Sequence, residues 1–482
     1  MTTVFGDRDI IVVDLGFGDA GKGATVDWLC SPDASLDVAA VVRFNGGAQA
    51  AHNVVVDGRH HTFSQFGSGT FSGVPTVLSK HVLVEPIALA AEARALAGLG
   101  VPNPLQLLHI DAAALLTTPI HVAANRARED ARGNGRHGSC GKGIGETAAY
   151  ALDHPDAPTV GDCHRQAVLR TKLSTMADHY RDLVAPSVHR WPDLDNMVTM
   201  YSEFVAAVRI AEDGDLAALA NQGRLVFEGA QGVLLDEWRG FHPHTTWSTV
   251  EPSNARSLSA KHGRGSHVLG VTRTYTTRHG AGPMPTENPT LGAVLPELHN
   301  DTGSYQGTFR IGDLDEVLLR YAANVCGSVD SLAVTHLDAV TGAAAEGNPI
   351  RSARRYPTSA TYCLSDRGGT SRISNTSPTS CPRSPPTHRS CRPIRQTSRR
   401  TSDRWSAHRW HSPPAAPAGP PVTSVSPLSH DHRCGTVIRL RRCGRSPVRQ
   451  TGTRRAALRR RAPPLGAVHR AHGLARCPSW RR

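Results

Sequence analysis

Residues 13 to 28 read VDLGFGDAGKGATVDW, and three residue types in that run could do chemistry on a phosphate. Gly16, Gly18 and Gly21 make G-x-G-x-x-G, the spacing of a dinucleotide turn; Gly16, Gly21 and Lys22 make G-x-x-x-x-G-K, a Walker A loop without its final hydroxyl, because Gly23 stands where Ser or Thr would hold magnesium. A dinucleotide site needs an acid at the end of the next strand for the ribose hydroxyls, but that strand ends in Arg43, Phe44 and Asn45. NAD is therefore disfavoured, and only a reading with NADP against Arg43 is left to that motif. The Walker reading supplies backbone N–H groups around a phosphate, with Lys22 as a point charge. Magnesium then needs another hard oxygen, and Asp19 lies inside the loop. A carboxylate there repels phosphate unless a cation or a proton transfer justifies it, so Asp19 points to chemistry beyond cradling.

A second glycine stretch, VVRFNGGAQAAHNVVVDG, follows directly and carries His52. These two stretches resemble the signature stretches of the adenylosuccinate synthetase family. The resemblance continues in family order through GSCGKGIGETAAY, FEGAQGVLLDEWRGFHPHTTWS, LGVTRTYTTRHGAGPMPTE and VTHLDAV, over roughly residues 8 to 341. It implies a ligase in which GTP phosphorylates the 6-oxygen of IMP and L-aspartate displaces the phosphate. Such a reaction needs positioning, a metal and charge neutralisation.

Carried onto matching positions, the resemblance makes Asp19 the base that takes the purine N1 proton and a Mg2+ ligand, with the Ala51 carbonyl as a further ligand. His52 becomes the general acid at the leaving GDP phosphate, a role an imidazole suits near neutral pH. Gly18, Gly21, Lys22 and Gly23 would cradle the GTP phosphates, and Asp338 would read guanine through its N1–H and exocyclic amine. Helix capping is the ordinary alternative for Asp338. Asn45, Ser139, Cys140, Gln231 and Thr246 would bind the purine nucleotide, and Thr308 and Arg310 the amino acid. The implied partners are GTP, an IMP-like nucleotide, aspartate and a second copy of the chain.

This chain also departs from the family pattern. Ala20 and Ala24 replace an acid and a lysine, Cys140 a threonine, and His336 a lysine. The loop TGSYQGTFRIGD keeps Arg310 as its only guanidinium, although aspartate has two carboxylates to hold. A relative specialised for another purine nucleotide or amino acid stays open on these grounds.

These residues need elements to hold them. Ile10 to Leu15 reads as a buried strand, with a helix from about Ala24 to Cys30 and a strand from Val38 to Arg43. Later come a helix over PIALAAEARALAGLG, strands over LQLLHID, RLVFEGAQG, HVLGVTRTYTTRHGAG and SLAVTHLDAV, and a helix over DEVLLRYAANVCG. The alternation predicts an α/β fold, a P-loop-like mixed sheet flanked by helices, with ligands at the carboxyl ends of the strands.

Composition divides the 482 residues in two. The whole chain carries +13, but residues 351 to 482 hold 28 Arg, no Lys, 3 Asp and no Glu, a charge of +25 that leaves −12 for the first 350. The same segment holds 16 of 33 prolines and 6 of 10 cysteines, without ligand spacing or hydrophobic periodicity. The division expected is a ligase domain over 1–345 and an Arg/Pro/Ser-rich tail over 346–482, disordered or out of frame. A frameshift near residues 345 to 360 of a G+C-rich gene would give this composition and an inactive product. The ordinary alternative is a basic arm that binds nucleic acid. Cys30, Cys140, Cys163 and Cys326 form no C-x-x-C pair, and there is no apolar run of about 18 residues. A soluble cytoplasmic protein without membrane contact is expected.

Overall fold

The computed structural model describes residues 2–212, 214–295, 297, 300, 305–354 and 436–439. The chain divides into two units, Met1–Leu440 and Arg441–Arg482, and the second lies outside the described residues. Most of the expected basic tail does too.

Fifteen strands are described: β1 (Asp9–Asp14), β2 (Val38–Arg43), β3 (His52–Val56), β4 (Arg59–Phe63), β5 (Thr76–Leu78), β6 (Leu108–Asp111), β7 (Arg209–Ala211), β8 (Arg224–Glu228), β9 (Ser266–Arg273), β10 (Thr276–His279), β11 (Phe309–Gly312), β12 (Leu314–Asp315), β13 (Ser331–Thr335), β14 (Ser352–Ala353) and β15 (Thr436–Arg439). Nine of them form one sheet in the order β15-β13-β9-β1-β8-β2-β5-β6-β7. Every pairing within it is parallel. Among the described strands, antiparallel pairing is confined to the ribbons β3–β4 and β10–β11, with single antiparallel bridges Leu115–Thr159 and Glu287–Gly312 besides.

Sequence explains the centre of this sheet. All six residues of β1, DIIVVD, and all five of β8, RLVFE, are buried. Near-continuous apolar runs of that kind belong to parallel strands covered on both faces. Side chains alternate along β1, so Ile11 and Val13 join one core with Phe227 and Leu318, while Ile10 and Val12 join another with Val26 and Leu29. A third core lies around β5 and β6, where helices Pro86–Gly98, Pro119–Ala131, Gln166–Val184 and Leu194–Ala207 pack.

Local signals place the helices. Helix Pro86–Gly98 opens on Pro at its first position, and the Glu85 carboxylate accepts from the Ile87 and Ala88 amides. Helix Lys22–Cys30 begins two residues earlier than its apolar pattern suggested, because Gly21 enters at φ 93 and frees Lys22 to start the first turn. The helix after β13 runs to Ala345 and the chain continues in order to β14, which pairs with β12. No described helix is long and apolar enough to cross a membrane.

Candidate active site

The five adjacent strands β13, β9, β1, β8 and β2 run parallel and end on one edge. Their carboxyl ends deliver, in that spatial order, Thr335 to Asp338, Arg273, the loop of Asp19, the loop of Gln231, and Asn45 to His52. Residues more than 200 positions apart thereby share one rim, where an open α/β sheet binds its ligands.

The first loop is built on a buried ion pair. Asp14, at the end of β1, accepts from the Gly16 amide (2.8 Å), the Ala20 amide (2.8 Å) and the Lys22 ammonium (3.0 Å). Between them, Asp19 stands at φ 59, a left-handed conformation that a non-glycine residue adopts only when its surroundings impose it. The Arg273 guanidinium holds its carbonyl. No described residue donates a hydrogen bond to the Asp19 carboxylate. Burial raises its pKa; the Arg273 and Lys22 charges oppose the rise and Asp14 adds to it.

Helix Lys22–Cys30 carries the loop against the second glycine stretch. A Cβ placed on Gly23 would lie 2.8 Å from the His52 Cβ, so the residue after Lys22 must be glycine for His52 to stand where it does. The missing Walker hydroxyl is thus the space His52 occupies. His52 Nδ1 meets Glu228 Oε1 at 2.6 Å, and the other donors to that carboxylate are the Ser68 hydroxyl (2.5 Å) and the Ser68 amide (2.9 Å). Burial lowers the His52 pKa against the pull of Glu228. Burial alone would raise Glu228, but His52, Arg43 and Ser68 outweigh it and hold the carboxyl below its usual range. The resting pair is a neutral imidazole donating from Nδ1 to a carboxylate, which leaves Nε2 for a ligand.

The third loop presses directly on the first. A Cβ on Gly232 would lie 2.2 Å from both the Gly16 oxygen and the Gly18 nitrogen, and the Leu234 amide donates to the Gly16 carbonyl. Gln231, at φ 57, keeps its Oε1 buried with no described partner. Gln49, to which the sequence reading gave no role, keeps both amide atoms buried with no described partner. Buried amides left this way are short of a hydrogen-bonding ligand.

The remaining candidates divide. Asn45 spends both ends of its amide on Ala230, donating to its carbonyl at 3.2 Å and accepting from its amide at 2.8 Å. It acts as a strut between the second and third loops. Arg43 is buried and donates to the Ser64 and Phe66 carbonyls, so it cannot serve the NADP reading. Asp338 is exposed in the first turn of helix Leu337–Ala345, whose N-cap is His336, so it is not the cap. Thr335 ties that segment to the first loop by donating to the Ala20 carbonyl at 2.7 Å.

Ser139 accepts from Asn125 at 2.9 Å, and burial raises the Cys140 thiol pKa. Their glycine turn lies after helix Pro119–Ala131 and does not spring from a strand end. Thr246 is half-buried, with its amide on the Leu235 carbonyl. Thr308 is exposed, and Arg310 on β11 donates to the Gly280 and Gly282 carbonyls and to the Glu287 carboxylate. That ribbon reaches the first loop through Arg278, stacked 4.2 Å over the Phe17 ring, and through the charge of His279 on Asp19.

Two residues at the centre of the site, Asp14 and Glu228, were not singled out from sequence. Each is an acid that closes a buried apolar strand and precedes a glycine turn, a signal hidden because such acids also serve as plain caps.

Magnesium is a hard cation, and the Asp19 carboxylate, free of described hydrogen bonds, fits as a donor. The described residues contain no cluster of three or more His, Cys, Asp or Glu side chains arranged to hold a metal alone.

The family model for adenylosuccinate synthetase matches residues 11–356. An adenylosuccinate synthetase of Alkalilimnicola ehrlichii is 35% identical over 340 residues, covering 69% of this chain and 77% of that protein. One from a Marinomonas species is 33% identical over 371 residues, covering 71% and 82%. Among solved structures, the fully ligated adenylosuccinate synthetase from Plasmodium falciparum superposes with a TM-score of 0.60 at 23% identity, over 69% of this chain and 78% of that one. At that identity the likeness speaks for the fold alone.

Proposed function

The chain belongs to the adenylosuccinate synthetase family, and from that premise we propose how its own residues carry out the GTP-dependent ligation of IMP and L-aspartate. The observation that carries the proposal is the meeting of Asp19 and Lys22, after β1, with His52, after β2, on the two sides of β8, with Gly23 packed against His52.

Asp19 takes the N1 proton of the 6-oxopurine, so that the 6-oxygen can accept the phosphoryl group of GTP. Its burial-raised pKa makes it a better proton acceptor than a solvated carboxylate. Lys22 and the amides of Gly18, Gly21 and Gly23 hold the phosphates. The negative charge of the bound phosphates favours protonation of His52, whose Nε2–H then donates to the departing GDP oxygen, while Glu228, fixed at Nδ1, stabilises the imidazolium. Asp338 reads guanine from the end of β13, two strands from β1. Ser139, Cys140, Gln231 and Thr246 line the purine nucleotide, and Asn45 supports that site through Ala230. Thr308 and Arg310 serve the amino acid. Asp19 and the Ala51 carbonyl would hold Mg2+, which when bound neutralises phosphate charge.

The wider reading is a ligase domain over residues 1–345 that works as a cytoplasmic homodimer. A basic tail follows, either contacting nucleic acid or arising out of frame.

GDP release is measured with IMP, GTP, magnesium and aspartate. Asp19→Asn should abolish it, because the amide cannot take the N1 proton; release at the wild-type rate overturns the assigned role. A second reading, an altered amino-acid substrate, is favoured by the Arg310 guanidinium, whose described contacts already include two carbonyls and a carboxylate. IMP-dependent GDP release that ignores aspartate would select it.

A further inference from the structure

A phosphate loop works because its amides and its lysine are available to an anion. Here the lysine and two further amides of the loop, those of Gly16 and Ala20, already have one. The Asp14 carboxylate is fully buried and accepts from two loop amides, Gly16 and Ala20, and from the Lys22 ammonium at 2.8 to 3.0 Å. That donor set, two backbone N–H groups and a lysine, is the one a phosphate oxygen would take. Asp14 is the only described acceptor of the Lys22 side chain. Between residues 14 and 23 the loop holds two acids, Asp14 and Asp19, against one base, Lys22. An anion-binding loop with a net negative charge is inverted from the usual arrangement, and the bound nucleotide adds further negative charge.

We propose that Asp14 is an internal anion that competes with the nucleotide phosphates for the first glycine loop. The inference rests on the reading of that loop as the GTP phosphate site. Nucleotide entry must pull Lys22 and the Ala20 amide away from Asp14, or set its phosphate beside a carboxylate that stays. In either case Asp14 weakens binding, and a divalent cation entering with the nucleotide offsets the excess negative charge. The residue thereby sets both the affinity for GTP and GDP and how strongly that affinity depends on magnesium.

The test is GDP binding by calorimetry on the full chain, with magnesium and with EDTA, for wild type, Asp14→Ala, Asp14→Asn and Lys22→Met. Asn keeps the size and one acceptor of Asp14 while removing its charge, so it carries the test if Ala disturbs folding. Melting curves verify the fold of each variant. Both Asp14 variants should bind GDP about tenfold more tightly than wild type in EDTA, with a smaller gain on adding magnesium. Equal or weaker binding by folded Asp14→Ala and Asp14→Asn, with Lys22→Met losing GDP, overturns the competition and leaves the phosphate site standing. Unchanged GDP binding in Lys22→Met overturns the phosphate-site reading itself.

Discussion

His52 is one of 25 histidines, and among the described ones it is set apart by a buried carboxylate, Glu228, at its Nδ1. Glu228 accepts from the Ser68 hydroxyl and amide as well, so it is fixed in place before any ligand arrives. Its replacement by Gln keeps the shape but removes the charge that stabilises a protonated imidazole. For Glu228→Gln, kcat for GDP release should fall on the order of 10²-fold, with KM for GTP little changed. The alkaline limb of the kcat profile should also move to lower pH, because the imidazolium loses its partner. A pH-rate series that leaves that limb in place would show Glu228 to be only a packing residue.

At the scale of elements, helix Pro119–Ala131 supports the turn that carries Ser139 and Cys140, since its Asn125 side chain binds both Ser139 and the Gly143 amide. The helix begins with Thr118, whose amide donates to Nδ1 of His121 at 3.2 Å, while His121 Nε2 is buried without a described partner. Burial pushes His121 from 6.5 down to about 3 and His336 from 6.5 down to about 4. Between the folded and unfolded values, the unfolded chain binds more protons than the folded one. Stability should therefore fall as pH drops below about 6.5, by up to about 1.4 kcal/mol per pH unit for each such histidine. Denaturant melts from pH 8 to pH 4 would measure the slope. His121→Phe should make it shallower by close to one proton, even though losing the cap acceptor lowers stability at pH 8.

At the scale of the whole molecule, charge divides along the chain. The first 350 residues carry −12 and the last 132 carry +25. If the tail is a working arm, the full chain should bind duplex DNA without sequence preference and release it as salt rises. A chain ending at Arg354 should not bind. Gel-shift titrations at low and moderate salt compare the two, and equal binding by both would place the basic surface elsewhere.

How much of this was legible depended on how local each cause is. The strands Val38–Arg43, Arg224–Glu228 and Ser331–Thr335 announce themselves by continuous apolar runs, and Asp19 by being an acid where phosphate belongs. The parallel order of nine strands was not legible, because it is set by which sheet neighbours cover each face, and those lie hundreds of residues away. The same distance hid the partnerships of His52 with Glu228, of Asp19 with Arg273, and of Asn45 with Ala230. The commitment of Arg310 to Gly280, Gly282 and Glu287 likewise needs the ribbon to be folded before it can be seen.

Those distances also bear on how the protein is made. Arg273 grips the Asp19 carbonyl across 254 positions, and Thr335 grips Ala20 across 315. At about 5 to 20 residues per second, the ribosome needs roughly 15 to 60 s between making the glycine loop and making the threonine that fastens it. The catalytic loop is among the first segments to leave the exit tunnel and among the last to be secured. For much of that interval the nascent chain carries the loop with Asp14 alone to hold it, and competence arrives late in translation, with β13.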